Sequence, residues 1–256
     1  MNQQTRHNNE IISQFTQQAI PFSELPGHLD AMDLLVTISK VNAYSQVLDV
    51  ASGPGLVATA FAKIAREVEC FDLTPAMLEQ ASQRATAEGL FNISFRKGDA
   101  LALPYSNNSF DVVVSRYSFH HFLHPERVLA EMIRVCKPLG CVVVADVAID
   151  PECSARYNYL EKLRDSSHVR ALSSYEFVRL FTQEAFLNCT QSEYTIDVKL
   201  EDQLSVSFPD GDDVNQIRKL IAADIGNNKT GLNPRELAGV IYYSYPISVY
   251  AATKKA

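Results

Sequence analysis

From residue 46 onward the chain alternates short apolar runs with stretches of helical periodicity, and this constrains the fold more than any other feature. "QVLDVA" (46–51) reads as a buried strand and is followed by a helix with Leu56, Ala60, Phe61 and Ile64 on one face. "EVECFD" (67–72) is a second strand. Thr74-Pro75 then supplies an N-cap and a first-turn proline for "AMLEQASQRATAEG", with Gly89 as its stop. "NISFRKGD" (92–99) and "SFDVVVSRYS" (109–118) give a third and a fourth strand. His124-Pro125 opens a helix whose Val128, Leu129, Met132 and Ile133 share a face. A turn at Lys137–Gly140 leads into a fifth strand, "CVVVADVAI". Five strands alternating with helices imply a parallel sheet covered on both faces.

The flanks are less regular. Residues 8–40 are expected to form one or two helices. Ser173-Ser174-Tyr175-Glu176 has the form of a capping box for "EFVRLFTQEAF". "TQSEYTIDVKL" and "YPISVYAATK" read as two last strands, separated by a polar segment at about 201–240 with a helix at "DVNQIRKLIAADIG". One domain over 1–256 is expected, with N-terminal helices (1–45), a cofactor-binding core (46–150) and a lid, last helix and C-terminal strands (151–256).

Composition narrows the function classes. No apolar run approaches the ~20 residues that span a bilayer, and the N-terminus lacks the pattern of a secretory signal. A soluble cytoplasmic protein without integral membrane association is expected. The five cysteines are scattered without a C-x-x-C spacing, so neither a disulfide framework nor a metal site is expected. A net charge of −7 with no basic cluster argues against a nucleic-acid partner.

In an open α/β sheet, ligands bind beyond the carboxyl ends of the strands. Gly53 and Gly55 follow the first strand, Asp72 ends the second, Asp99 follows the third, and Ser115-Arg116 ends the fourth. Together they form an adenosine-sized ring of sites. Glycines let the backbone approach a ligand, Asp72 can accept ribose hydroxyls, and Asp99 can accept from an adenine amine beside Ala100. The plainer alternatives are a tight turn for the glycines, helix capping for Asp72, an Asx turn for Asp99 and a backbone-satisfied buried acid for Asp49. Gly53–Ala58 also fits the G-x-G-x-x-A pattern of dinucleotide sites. Asp49 separates the cofactors: its charge repels a pyrophosphate but attracts a sulfonium or an ammonium, which favours S-adenosylmethionine over NAD.

"VLDVASGPG", "FDLTPAML", "GDALALPY", "FDVVVSRYSFHHF" and "RVCKPLG" stand in the order and spacing of a class I S-adenosylmethionine-dependent methyltransferase. The chain resembles its ubiquinone/menaquinone C-methyltransferase-like (methyltransferase type 11) branch, well over 40–150 and weakly at the flanks. The resemblance implies a Rossmann-like doubly wound α/β sheet of seven strands, mostly parallel with the last strand antiparallel, plus N-terminal helices and a lid or insertion. It implies S-adenosyl-L-methionine held by Asp49, Ala51, Gly53, Gly55, Asp72, Leu73, Met77, Asp99, Ala100, Leu101 and Arg116, and a small-molecule methyl acceptor; a homodimer stays open. Ala51 stands where the family usually has glycine, and Pro138-Leu139-Gly140 replaces a Pro-Gly-Gly turn.

His120, His121 and His168 are the candidate catalytic bases, since imidazole titrates near neutral pH. Glu161, Arg164, Asp165 and His168 fall at i, i+3, i+4 and i+7, giving either a solvated ion-paired helix face or a lid over the substrate. Phe15, Tyr157 and Tyr159 are candidates for the pocket wall. Transfer to an O, N or C nucleophile of a small molecule is the expected activity. The alternative is a cofactor-binding protein of the same fold with a non-methylating role, such as cyclisation, rearrangement or service as a binding subunit.

Overall fold

The computed structural model describes residues 2–19 and 31–256. Strands β1 (Gln46–Val50), β2 (Glu67–Asp72), β3 (Ile93–Lys97), β4 (Phe110–Arg116) and β5 (Cys136–Val147) are parallel. The sheet order is β3-β2-β1-β4-β5-β8-β6, with β8 (Val240–Lys254) inserted antiparallel between β5 and β6 (Phe186–Lys199). The seven-stranded sheet with a reversed last strand is therefore present. An eighth strand, β7 (Arg235–Leu237), was not expected; it pairs with the start of β8 through the two-residue turn Ala238-Gly239, both at positive φ. That backbone twist matches a tight hairpin.

Alternation along the strands sends successive side chains to opposite faces. Val47 and Val112 join the core with Leu35, Phe61, Leu160 and Ile221, from α2 (Met32–Ser39), α3 (Leu56–Ala62), α6 (Pro151–Arg164) and α9 (Gly211–Asp224). Leu48, Val113 and Val142 face the other core, under α5 (Pro125–Val135) and α7 (Ser174–Phe181). The expected α5 stripe is present: Val128, Leu129 and Met132 are fully buried, with Val135 beside them. Each such side chain contributes about 1.5–3 kcal/mol.

Several expectations are corrected. Helix α3 is buried nearly all round, at Leu56, Val57, Ala58, Thr59, Phe61 and Ala62, while Ile64 lies past its end and is 41% exposed. A helix wedged between sheet and neighbouring helices has no polar face to display. Lys137–Gly140 does not precede the fifth strand but bulges within it: Phe110 pairs with Cys136 and Val112 with Cys141, and Leu139 takes φ 63°. Thr74 stands at the N-cap of α4 (Pro75–Ala87), yet its hydroxyl makes no capping bond; its N–H donates to Asp72 Oδ1 instead (2.8 Å). The capping box is present, with Glu176 N donating to Ser173 Oγ (3.2 Å) and Ser173 N to Glu176 Oε2 (2.9 Å).

Helix α6 ends at Arg164, so Asp165 caps it and His168 lies beyond. The expected four-residue face is thus interrupted, and Glu161, Arg164, Asp165 and His168 are all buried rather than solvated. Helix α8 (Leu200–Ser207), which follows β6 without a break, was also missed. The first helix, α1 (Gln3–Gln18), lies across the carboxyl edge of the sheet and is fastened there by polar bonds. His7 Nε2 donates to the His121 carbonyl (2.7 Å), Asn8 Nδ2 to Asp99 Oδ2 (2.8 Å), and Gln14 and Gln18 donate to the Ser207 carbonyl (2.7 and 3.3 Å).

Candidate active site

The loop after β1 turns through three left-handed residues, Ala51 (φ 54°), Gly53 (φ 52°) and Gly55 (φ 79°). Gly53 N donates to Asp72 Oδ2 (2.9 Å), while Asp72 Oδ1 accepts from Thr74 N. Burial pushes the Asp72 carboxyl up, against main-chain hydrogen bonds from Thr74, Gly53 and Leu73. Asp99 Oδ1 accepts from Leu101 N (2.9 Å), so it forms the Asx-type turn as well as facing the cavity. A Cβ at Gly98 would fall 2.3 Å from the Phe71 ring, which therefore lies flush against the backbone before Asp99.

These elements line a cleft open to solvent. Ala51, Gly53, Asp72, Leu73, Met77, Asp99, Ala100 and Arg116 are on its wall. Three expected residues are not. A Cβ at Gly55 would fall 2.7 Å from that of Ala81, so this glycine serves close packing of the loop on α4. Leu101 packs into the core beside Asp99. Asp49 is 1% exposed beneath the loop, and neither carboxylate oxygen has a hydrogen-bond partner among the described residues. Burial, and then the nearby Asp72, hold its carboxyl well above the usual range. Strand alternation puts Asp49 on the same face as Val47, beneath the loop.

A second cavity of about 610 Å³ opens beside the first, and Phe15, Tyr117 and His121 line both. Tyr117 takes φ 56°, a costly conformation for an aromatic residue. Arg116 sits 4.0 Å over its ring and donates Nη2–H to its hydroxyl (2.8 Å), which also bonds the Tyr194 hydroxyl (2.6 Å). Tyr157 is on the wall of the second cavity. Tyr159 is not: it is 50% exposed on the far side of α6, where its hydroxyl meets Gln216.

The three histidines separate into distinct roles. His120, on a short 3-10 turn after β4, donates Nδ1–H to Asp146 Oδ1 (2.6 Å) and faces the second cavity. Asp146 is itself fixed by Phe119 N and Val147 N (2.6 and 2.7 Å). Burial opposes protonation of His120, but Asp146 outweighs it, and the imidazole is raised above its ordinary value. His121 donates Nδ1–H toward Ser167, at its carbonyl (3.2 Å) and hydroxyl (3.1 Å). Burial and the adjacent His120 lower it to about 3. His168 donates Nε2–H to Asn158 Oδ1 (2.8 Å), is strongly depressed by burial, and lines neither cavity. His168 is therefore a buried scaffold residue, a correction to its place among the candidate bases.

Sequence reasoning missed Asn8, Ile11 and Gln18 of α1, and Tyr117, Asp146, Gln203 and Tyr245. Asp146 carried a signal, a lone carboxylate in "VVVADVA". Among the described residues, no group of three or more metal-ligating side chains stands together, and no helix is long and apolar enough to cross a membrane.

The sheet order, the glycine loop and the strand-end carboxylates define a class I methyltransferase fold. Residues 48–144 match the family described as "Methyltransferase domain" (Methyltransf_11). The chain is 35% identical over 153 residues to the uncharacterized methyltransferase YcgJ of Bacillus subtilis, covering 59% of this chain and 60% of that one. The crystal structure of YcgJ superposes with a TM-score of 0.82 at 25% identity, over 90% of this chain and all of the other. The ubiquinone/menaquinone biosynthesis C-methyltransferase UbiE of Dinoroseobacter shibae is 40% identical over 107 residues, 41% of this chain and 43% of that one. The aligned segment thus spans three fifths or less of these two relatives' lengths. The [4+2]-cyclase SpnF shares the fold, with a TM-score of 0.63 at 19% identity over 91% of this chain and 85% of its own. The match to the methyltransferase-domain family rests on residues 48–144 of this chain.

The cleft's donor set suits the family's cofactor. Asp72 and Asp99 flank an apolar slot of Phe71, Met77 and Ala100, which has the polarity of an adenosine.

Proposed function

We propose that the protein is an S-adenosylmethionine-dependent methyltransferase acting on a small-molecule acceptor. The observation that carries this reading is the junction of two cavities, one walled by Asp72 and Asp99 and the other by His120, at the shared residues Phe15, Tyr117 and His121. When bound, the cofactor supplies an electrophilic methyl group on a sulfonium.

The chain's own residues supply the rest. Asp72, already oriented by Gly53 N and Thr74 N, accepts the ribose hydroxyls. Asp99 accepts the adenine amine on the oxygen that Asn8 now holds. The Phe15–Tyr117–His121 neck aligns donor and acceptor and excludes water, the main lever in such a transfer. His120, its Nδ1–H fixed on Asp146, keeps the Nε2 lone pair for the acceptor's proton, a contribution of about 10²–10⁴-fold.

Calorimetry with S-adenosylmethionine, S-adenosylhomocysteine and NAD is the first test. Binding of the first two without NAD, then S-adenosylhomocysteine release with an acceptor, supports the reading. NAD binding alone, or tight S-adenosylmethionine binding without methylation of any acceptor, refutes it.

A further inference from the structure

The second cavity carries more information than its position. Its aromatic faces come from Phe15, Tyr117, Tyr157 and Tyr245, and most of its polar lining is hydrogen-bonded to other protein groups. Arg164, the only arginine or lysine there among the described residues, gives Nε and Nη2 to Glu161 Oε2 (3.0 and 2.6 Å) and Nη1 to Ser207 Oγ (3.0 Å). Tyr245 donates its hydroxyl to Glu161 Oε1 (3.1 Å). Gln18 and Gln203 each give one amide N–H to Ser207, at its carbonyl and its hydroxyl (3.3 and 3.4 Å). His120 and His121 each commit Nδ1–H to Asp146 and Ser167, leaving Nε2 as an acceptor in both.

The charges favour a cation. Glu161 and Asp165 line the cavity and Asp146 stands directly behind His120, three carboxylates against the Arg164 guanidinium and the His120 imidazole. All three are at most 2% exposed. Buried charge in excess of its partners is costly, and a cationic guest offsets that cost. Aromatic faces add attraction for a cation. Among the described residues, a carboxylate or phosphate guest meets no guanidinium or ammonium there that is not already paired with a carboxylate.

Resting on the methyltransferase reading above, we propose that the acceptor is an amine, which enters as its ammonium between the aromatic faces and the Glu161 and Asp165 carboxylates. An ammonium has no lone pair to donate, so it first gives one proton to His120 Nε2. The freed nitrogen pair forms the N–C bond to the methyl as the C–S bond breaks, and the electrons of that bond stay on sulfur. The product is the methylammonium, and His120 returns its proton to solvent.

The test is calorimetry at pH 7 with 2-phenylethylamine, 2-phenylethanol and phenylacetate, near-isosteres that differ in charge, on the free and the S-adenosylhomocysteine-loaded protein. The amine is expected to bind at least tenfold tighter than the alcohol, and phenylacetate to show no binding. Glu161→Gln and Asp165→Asn should each cut the amine's advantage by fivefold or more while the alcohol's affinity stays put. Equal or tighter binding of the alcohol or the acid to the wild-type protein overturns the proposal, as does an amine that fails to bind. The wild-type series stands even if a variant fails to fold. Failure of S-adenosylhomocysteine to bind, with amine selectivity intact in the free protein, strikes the cofactor reading and leaves the cavity's preference standing.

Discussion

Asn8 and Asp99 are 91 positions apart in the chain, yet the amide Nδ2 of one donates to the carboxylate Oδ2 of the other at 2.8 Å. The amide occupies the oxygen assigned above to the adenine amine. Helix α1 and the cofactor therefore compete for one acceptor.

Asn8→Ala removes that competitor. A hydrogen bond to a charged group is worth about 1.5–3 kcal/mol, and this one is only part-buried, so a gain of up to about tenfold in S-adenosylmethionine affinity is expected by calorimetry. Weaker binding would mean that Asn8 contacts the cofactor.

Asp72 holds both the glycine loop and the start of α4, through Gly53 N and Thr74 N. Asp72→Ala should weaken cofactor binding by more than tenfold and lower stability by about 1–3 kcal/mol, because two N–H groups lose their acceptor. Unchanged affinity would remove Asp72 from the site.

For the methyltransferase reading, His120→Ala should lower kcat by about 10²–10⁴ with cofactor affinity unaltered. The imidazole is raised above its ordinary value, so the free base that takes the proton is populated only as pH climbs through that raised value. The rate is expected to rise across this range, and Asp146→Asn should move the inflexion to lower pH. A profile with no inflexion above pH 6.5 would take His120 out of the chemistry.

His121 and His168 act on stability in the opposite sense. Folding holds both neutral, His121 down to about 3, while the unfolded chain protonates them near 6.5. Below that value the unfolded state binds more protons, so stability present above pH 6.5 is lost as pH falls toward 3. His120 offsets part of this, since its raised value favours the folded state at low pH. Urea denaturation at pH 7 and pH 5 should show the loss, and His168→Gln should shrink it; equal midpoints for the wild-type protein would contradict it.

The loop gives a conformational prediction. Ala51 takes φ 54°, where an L-residue pays about 1–2 kcal/mol. Ala51→Gly, less the entropy glycine adds to the unfolded chain, should stabilise by about 0.5–1 kcal/mol, a rise of a few degrees in Tm. Gly55→Ala should do the reverse, since its Cβ would meet Ala81 at 2.7 Å with φ at 79°. A thermal melt of the two variants decides it.

The sheet was legible because its signals are local. "EVECFD" is the whole of β2, and Ser173–Glu176 contains its complete capping box. The grouping of Asp72 and Arg116 on one cleft was legible for the same reason, since strand ends fall on one edge whatever the flanks do. The charge of Asp49 was legible, but its depth was not, since burial beneath the loop depends on how α3 packs on the strand. Phe15 was legible as a wall residue, but the rest of helix α1 was hidden because the helix is polar: it docks through His7, Asn8, Gln14 and Gln18. The identity of His120 as the Asp146 partner depends on two strand ends meeting across 26 residues, which no local pattern reveals.

Phe15 belongs to both cavities, and the helix that carries it also carries Asn8 over one and Gln18 over the other. Displacing that helix exposes both at once. On the methyltransferase reading proposed above, exchange of spent cofactor and departure of product are expected to share one barrier and one rate. Stopped-flow dissociation of the two products checks this: a single common rate constant is expected, and two well-separated constants would mean that each cavity has its own exit. With a shared exit, turnover comes one molecule at a time, with no acceptor kept in place for a second transfer.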